Sequence, residues 1–169
     1  MIQFLNEFGF YWKVYNKIKC IWYCCIHLLL EGWYLVNFAS VRIITDDVDR
    51  LVKFYEKVMG LSAERPAPVF AELVAPSCTL AIGHSQTVPL FGEGSAVAAD
   101  NHSVIIEFLV HDVDAEYERL KPFIEEWVKE PTTMPWGNRA ILFRDPDGNL
   151  VNLFSPVTEE AIKRFTGRA

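Results

Sequence analysis

The sequence predicts an α+β fold in which two βαβββ modules form an open, barrel-like sheet around a cavity. Three observations predict it. The motif D-V-D occurs twice, at Asp47–Asp49 and Asp112–Asp114, each time after a short apolar stretch and before apolar residues at helical spacing. A second pair, "APSCTLAIG" from Ala75 and "DPDGNLVNL" from Asp145, aligns Pro76 with Pro146 and Leu80 with Leu150. Between the halves lies "VPLFGEGSAVAADNH", rich in small residues.

Module one, about residues 39–86, opens with "SVRIIT". Period-two alternation puts Ser40, Arg42 and Ile44 on one face of this strand, and Val41 and Ile43 on the other. Asp47 ends the strand as a helix N-cap, because its carboxylate accepts bonds from unpaired backbone N–H groups. Val48, Leu51, Val52 and Tyr55 then form one helical stripe. "VFAELVA" and "CTLAIG" read as strands either side of a turn.

Module two, about residues 103–156, repeats the plan. "IIEFLV" alternates Ile105, Glu107 and Leu109 against Ile106 and Phe108, Asp112 caps, and Val113, Tyr117 and Leu120 form the stripe. "RAILFR" precedes the turn D-P-D-G-N, where Pro presets φ and Gly and Asn tolerate positive φ. A closing helix is expected at about 158–166. Each half-sheet has one apolar face for its helix, which leaves the other faces to surround a shared concavity.

The 169 residues suit one domain with a sizeable core. A net charge of -6 excludes a nucleic-acid partner in this reading, since no basic stripe exists to neutralise phosphates. Cys20, Cys24, Cys25 and Cys78 make no disulfide framework, and a reducing cytoplasm is the expected compartment. Cys20, Cys24, Cys25 and His27 match no zinc spacing. Residues 1–35 are crowded with aromatics and lack a clean period. They read as an extension unrelated to the fold, with the functional chain opening near Val36. Their apolar run is too short for a span, and no membrane partner is expected.

"DDVDRLVKFYEKVMGL" and "WGNRAILFRDPDGNLVNLF" resemble the first helix and closing hairpin of the vicinal oxygen chelate superfamily, which includes glyoxalase, bleomycin-resistance proteins and extradiol dioxygenases. The resemblance runs from about residue 39 to 156. It implies a homodimer, and in the metal enzymes it implies ligands seven residues before each D-V-D and three after the Asn of the turn. Here those positions hold Ser40, Ile105, Ile82 and Asn152: a hydroxyl, two hydrocarbons and a neutral amide. No metal is expected on such donors. His84, His102 and His111 lie off the ligand positions and are read as solvated.

The expected ligand-binding residues are therefore Arg42, Glu107, Trp136, Asn152 and Ser40. Arg42 and Glu107 hold equivalent positions in the repeat, which suggests an ion pair between modules. Trp136 stands where an indole could stack on a planar ligand. No nucleophile–base set is legible, so no catalytic residue is named. The expected function is metal-independent binding of a small aromatic or amphipathic molecule, bleomycin-resistance-like, with no cofactor. The alternative is a lyase, isomerase or oxygenase whose metal ligands are displaced; a third reading is a regulatory module with a vestigial cavity.

Overall fold

Residues 38–166 are described by a computed structural model; the expectations for residues 1–35 lie outside them. Alternation builds β1 (Ser40–Thr45), in which Ile43 is buried while Ser40 and Arg42 are exposed. Asp47 caps α1 (Val48–Met59) by accepting the Arg50 N–H at 3.0 Å, and Gly60 ends it in the left-handed region at φ 65°. Then follow β2 (Glu64–Ala67), β3 (Phe70–Val74) and β4 (Thr79–His84), in the sheet order β1-β4-β3-β2. β1 and β4 are parallel, and the other neighbours antiparallel.

After a 3-10 turn at Ser85–Leu90, module two repeats the plan with β5 (Ile105–Leu109), α2 (Val113–Leu120), β6 (Trp127–Thr133), β7 (Asn138–Arg144) and β8 (Leu150–Pro156). Its order is β5-β8-β7-β6. Asp112 caps α2 through the N–H groups of Asp114 and Ala115. The second Asp of each D-V-D also finds an arginine on its own sheet: Asp49 meets Arg65 at 2.5 Å, and Asp114 meets Arg139 at 2.5 and 2.6 Å. The guanidinium lowers the pKa of the Asp114 carboxyl.

The chain thus adopts the expected two-module α+β fold, but its sheets remain two separate four-stranded sheets that do not close into a barrel. What joins the modules is a single core. Leu51, Tyr55, Leu73 and Ile82 from module one belong to the same buried cluster as Ile141, Phe143 and Leu153 from module two. Phe54 sets its ring 5.4 Å from Phe123 and 6.2 Å from Phe143. Arg119 of α2 donates to the Lys57 and Val58 carbonyls at the end of α1, at 2.7 and 2.9 Å, satisfying acceptors the helix leaves open.

Because both helix-bearing faces turn inward, both opposite faces turn outward. These outer faces carry Ser40, Arg42 and Ile44 in one sheet and Ile105, Glu107 and Leu109 in the other. A last helix, α3 (Glu159–Phe165), covers one end of the second outer face, where Phe165 lies 5.3 Å from Phe154.

Candidate functional site

On the outer face of the second sheet, register sets Glu107 directly beside Asn152. The Asn152 side-chain NH2 donates to Glu107 Oε1 at 2.7 Å. A carboxylate can only accept, so it turns the amide to present its N–H edge and sends the amide oxygen the other way. That Oδ1 is buried and has no hydrogen-bond partner. The pair therefore offers an oriented carboxylate at the surface, while the amide oxygen stays buried.

The ion pair expected between Arg42 and Glu107 does not form, because β1 and β5 lie in different sheets and each residue has another neighbour. Arg42 crosses its own sheet instead. β4 presents Ala81 and Gly83 on that face, and Phe70 of β3 stands next to Gly83. A Cβ at Gly83 would lie 3.7 Å from Arg42 Cδ, so the missing side chain leaves a path for the arginine stem. The guanidinium carbon ends 4.7 Å from the Phe70 ring centre and 5.1 Å from that of Phe91. Arg42→Met and Glu107→Leu should accordingly be additive in urea unfolding, within about 0.5 kcal/mol, since they share no partner; a larger coupling would place the side chains in contact.

Of the other expected residues, Ser40 is exposed at the start of β1 beside Thr79. Trp136 lies in the β6–β7 turn with its side chain 57% exposed, and its carbonyl accepts from Arg164 at 2.5 Å. Neither hydrogen-bonds to the Glu107–Asn152 pair among the described residues. Clefts open in the surface of the described residues. One, of about 720 Å³, lies on the helix side between α1 and the D-P-D-G turn, lined by Arg50, Lys53, Phe54 and Phe123. A second, of about 520 Å³, is bordered by Met59, Leu61 and Leu109, and a third, of about 180 Å³, includes Arg42.

A polar link between modules does exist, at residues read from sequence as turn and core. Asp145 accepts from the Asp147 N–H at 2.9 Å, and from Asn149 N, Asn149 Nδ2 and the Tyr55 hydroxyl, each at 2.8 Å. Arg50 pairs with the buried Asp147, and Asn101 of the linker donates to Asn149 at 3.0 Å. Burial, then the charge of Asp145 and its hydrogen bond, hold the Tyr55 hydroxyl well above its ordinary pKa. The available signal was an Asp opening a Pro-Asp-Gly-Asn turn, whose carboxylate can bond the backbone two residues on.

This architecture has known relatives. The sequence pattern of the Glyoxalase/Bleomycin resistance protein/Dioxygenase superfamily matches residues 37–153. The chain belongs to that superfamily. Among solved structures it is similar to a glyoxalase/bleomycin resistance protein/dioxygenase from Nocardioides, at 24% identity and TM-score 0.60, over 80% of this chain and 95% of that one. A glyoxalase/bleomycin resistance protein/dioxygenase family enzyme from Burkholderia phytofirmans gives 18% identity and TM-score 0.64, over 72% and 100%. A superfamily member from Sphaerobacter thermophilus gives 27% and 0.55, over 72% and 98%. No curated protein matches.

Metal enzymes of the glyoxalase/bleomycin resistance/dioxygenase superfamily would use the outer-face positions, and the residues present do not fit a divalent ion. Ile82 cannot be one of those positions: it sits beside Ile43, fully buried on the helix side. The strands pair Arg42 with Ala81 as they pair Glu107 with Asn152, so the equivalent of Asn152 is Ala81, one residue earlier than the turn alignment implies. Ser40, Ala81, Ile105 and Asn152 supply one hydroxyl and one amide. Among the described residues no three His, Cys, Asp or Glu side chains gather. His84 Nδ1 accepts the Gln86 N–H, while His102 and His111 are exposed. EDTA should leave the melting temperature unchanged; a fall of several degrees would reveal a structural metal.

Proposed function

We propose that this protein binds a small aromatic or amphipathic molecule against the outer sheet face without a metal, as a homodimer in the cytoplasm. The observation that carries the reading is the exposed Glu107 carboxylate, which the Asn152 NH2 group holds in one orientation on the outer face. A hydrogen bond to a charged group is worth about 1.5–3 kcal/mol, so a ligand N–H or O–H directed at that carboxylate gains a charge-assisted contact. Ile105 and Leu109, 49% and 53% exposed on either side of Glu107, supply apolar contact for the rest of the molecule. They also leave apolar surface for a second copy to cover. No helix of the described residues is long and apolar enough to cross a membrane.

A thermal-shift screen of aromatic and amphipathic compounds tests the reading, because a ligand that binds the native state raises the midpoint. Hits should weaken in Asn152→Leu and Glu107→Gln. Hits that ignore both substitutions would move the site elsewhere, and a silent screen would leave a vestigial face.

A further inference from the structure

We propose that Arg42 is a receptor for an oxyanion, a site on the outer face of the first sheet for a molecule that carries a carboxylate or phosphate group. The inference is independent of the Glu107–Asn152 reading, because Arg42 lies on the other sheet. Its first support is what Arg42 lacks. It lies exposed on the outer face of a chain with a formal charge of -6, yet forms no ion pair with any described acid, Glu72 of its own sheet included.

Its second support is what Arg42 has. Two phenyl rings meet the guanidinium, with centres 4.7 and 5.1 Å from its central carbon. A ring offers no lone pair, so these contacts hold the group while its N–H donors keep their capacity for a bidentate oxyanion. Part of the side chain's rotamer freedom is already lost before the ligand arrives, which reduces the ordering required on binding.

The local sequence is consistent with that arrangement. Ala81 and Gly83 are the small residues that let the stem run from β1 across β4 to Phe70. Phe91, 65% exposed, is left largely open to solvent beside Arg42. An anion on Arg42 would bring its own apolar body against that ring. Phe70 and Phe91 are positioning residues in this scheme, and Arg42 makes the contact.

The test uses the full chain and four probes of similar size: benzoate, phenyl phosphate, benzamide and benzylamine. At least one anion should raise the melting temperature, while the neutral and cationic probes should not. Arg42→Gln should weaken anion binding about tenfold or more, the scale of one lost charge-assisted contact. Its own melting temperature should stay near that of the parent. Arg42→Lys should retain weaker binding, and Phe91→Ala should weaken it with the charge intact. Benzoate without phenyl phosphate would assign a carboxylate, and the reverse a phosphate.

Anion binding undiminished in Arg42→Gln would overturn the inference. So would benzamide or benzylamine binding as well as benzoate, although the ligand-binding reading would survive that result. A smaller assembly in sedimentation of Arg42→Gln would show that the guanidinium meets a second copy instead. Silence from all four probes would remove the anion inference, and Asn152-dependent hits in the wider screen would still support ligand binding.

Discussion

Asp145→Ala should lower the unfolding free energy by about 3–5 kcal/mol, the largest loss expected from any polar substitution in the described residues. Four donors converge on this one carboxylate: Tyr55 Oη, Asn149 Nδ2 and the backbone N–H groups of Asp147 and Asn149. Asp145 and Asn149 are each 4% exposed and Tyr55 is fully buried, so these donors have little access to water once the acceptor is gone. Each stranded donor costs about 1–3 kcal/mol; relaxation of the turn and entry of a water hold the total below the sum. Urea unfolding would show a lower midpoint at an unchanged slope. A loss under about 1 kcal/mol would mean that the turn carries itself.

The same site makes a pH prediction. The folded pKa of Tyr55 is raised, first by burial and then by Asp145. Its contribution is therefore fully present below the unfolded value of about 10 and is lost as pH rises beyond it. Alkaline destabilisation above about pH 10 should be shallower in Tyr55→Phe, which has no hydroxyl to ionise. Identical alkaline slopes in the two proteins would remove Tyr55 as the cause.

Gly137→Ala should cost about 3 kcal/mol through two separate effects. Gly137 has φ 90°, a backbone conformation costing about 1–3 kcal/mol for residues with a side chain. A Cβ there would also lie 2.1 Å from Thr158 Oγ1 and 3.1 Å from Thr158 Cβ. Thr158 cannot simply move aside. Its hydroxyl caps α3 by accepting from Ala161 N, and its own N–H and that of Val157 bond to the Gly137 carbonyl. Losing such a cap costs about 0.5–2 kcal/mol. A drop of several degrees in melting temperature, with α3 losing amide-exchange protection first, is the expected result; unchanged protection in α3 would show that the turn absorbs the new methyl.

Most of the fold was legible because both periodicities are written plainly into the chain. Val48, Leu51, Val52 and Tyr55 face the core from α1, and Asp47 and Asp112 cap their helices. The site was less legible. Alternation put Arg42 and Glu107 on the faces away from the helices, but these faces turn outward and do not enclose the expected shared cavity. It also cannot say which strands become neighbours, and the two positions suggested a pair that two separate sheets do not allow. The Ile82 assignment failed because period two amplifies a one-residue shift: the strand pairing moves the equivalent position to Ala81 and turns Ile82 into the core. Trp136 follows Pro135 in a turn, where period two gives no facing. The Arg42–Phe91 contact was hidden because the linker is aperiodic.

The Asp145–Asp147 turn also bears on how the molecule assembles in time. Tyr55 lies 90 residues from Asp145, and Arg50 lies 97 from Asp147. Contacts so distant along the chain form only after the intervening backbone has been brought together, and their enthalpy cannot offset that entropy beforehand. The expected result is φ-values near zero at Tyr55 and Asp145, and values above about 0.5 would place the latch in the transition state instead. Loosening this latch would leave the refolding rate nearly constant and accelerate unfolding, making the turn a determinant of how long the native state lasts once formed.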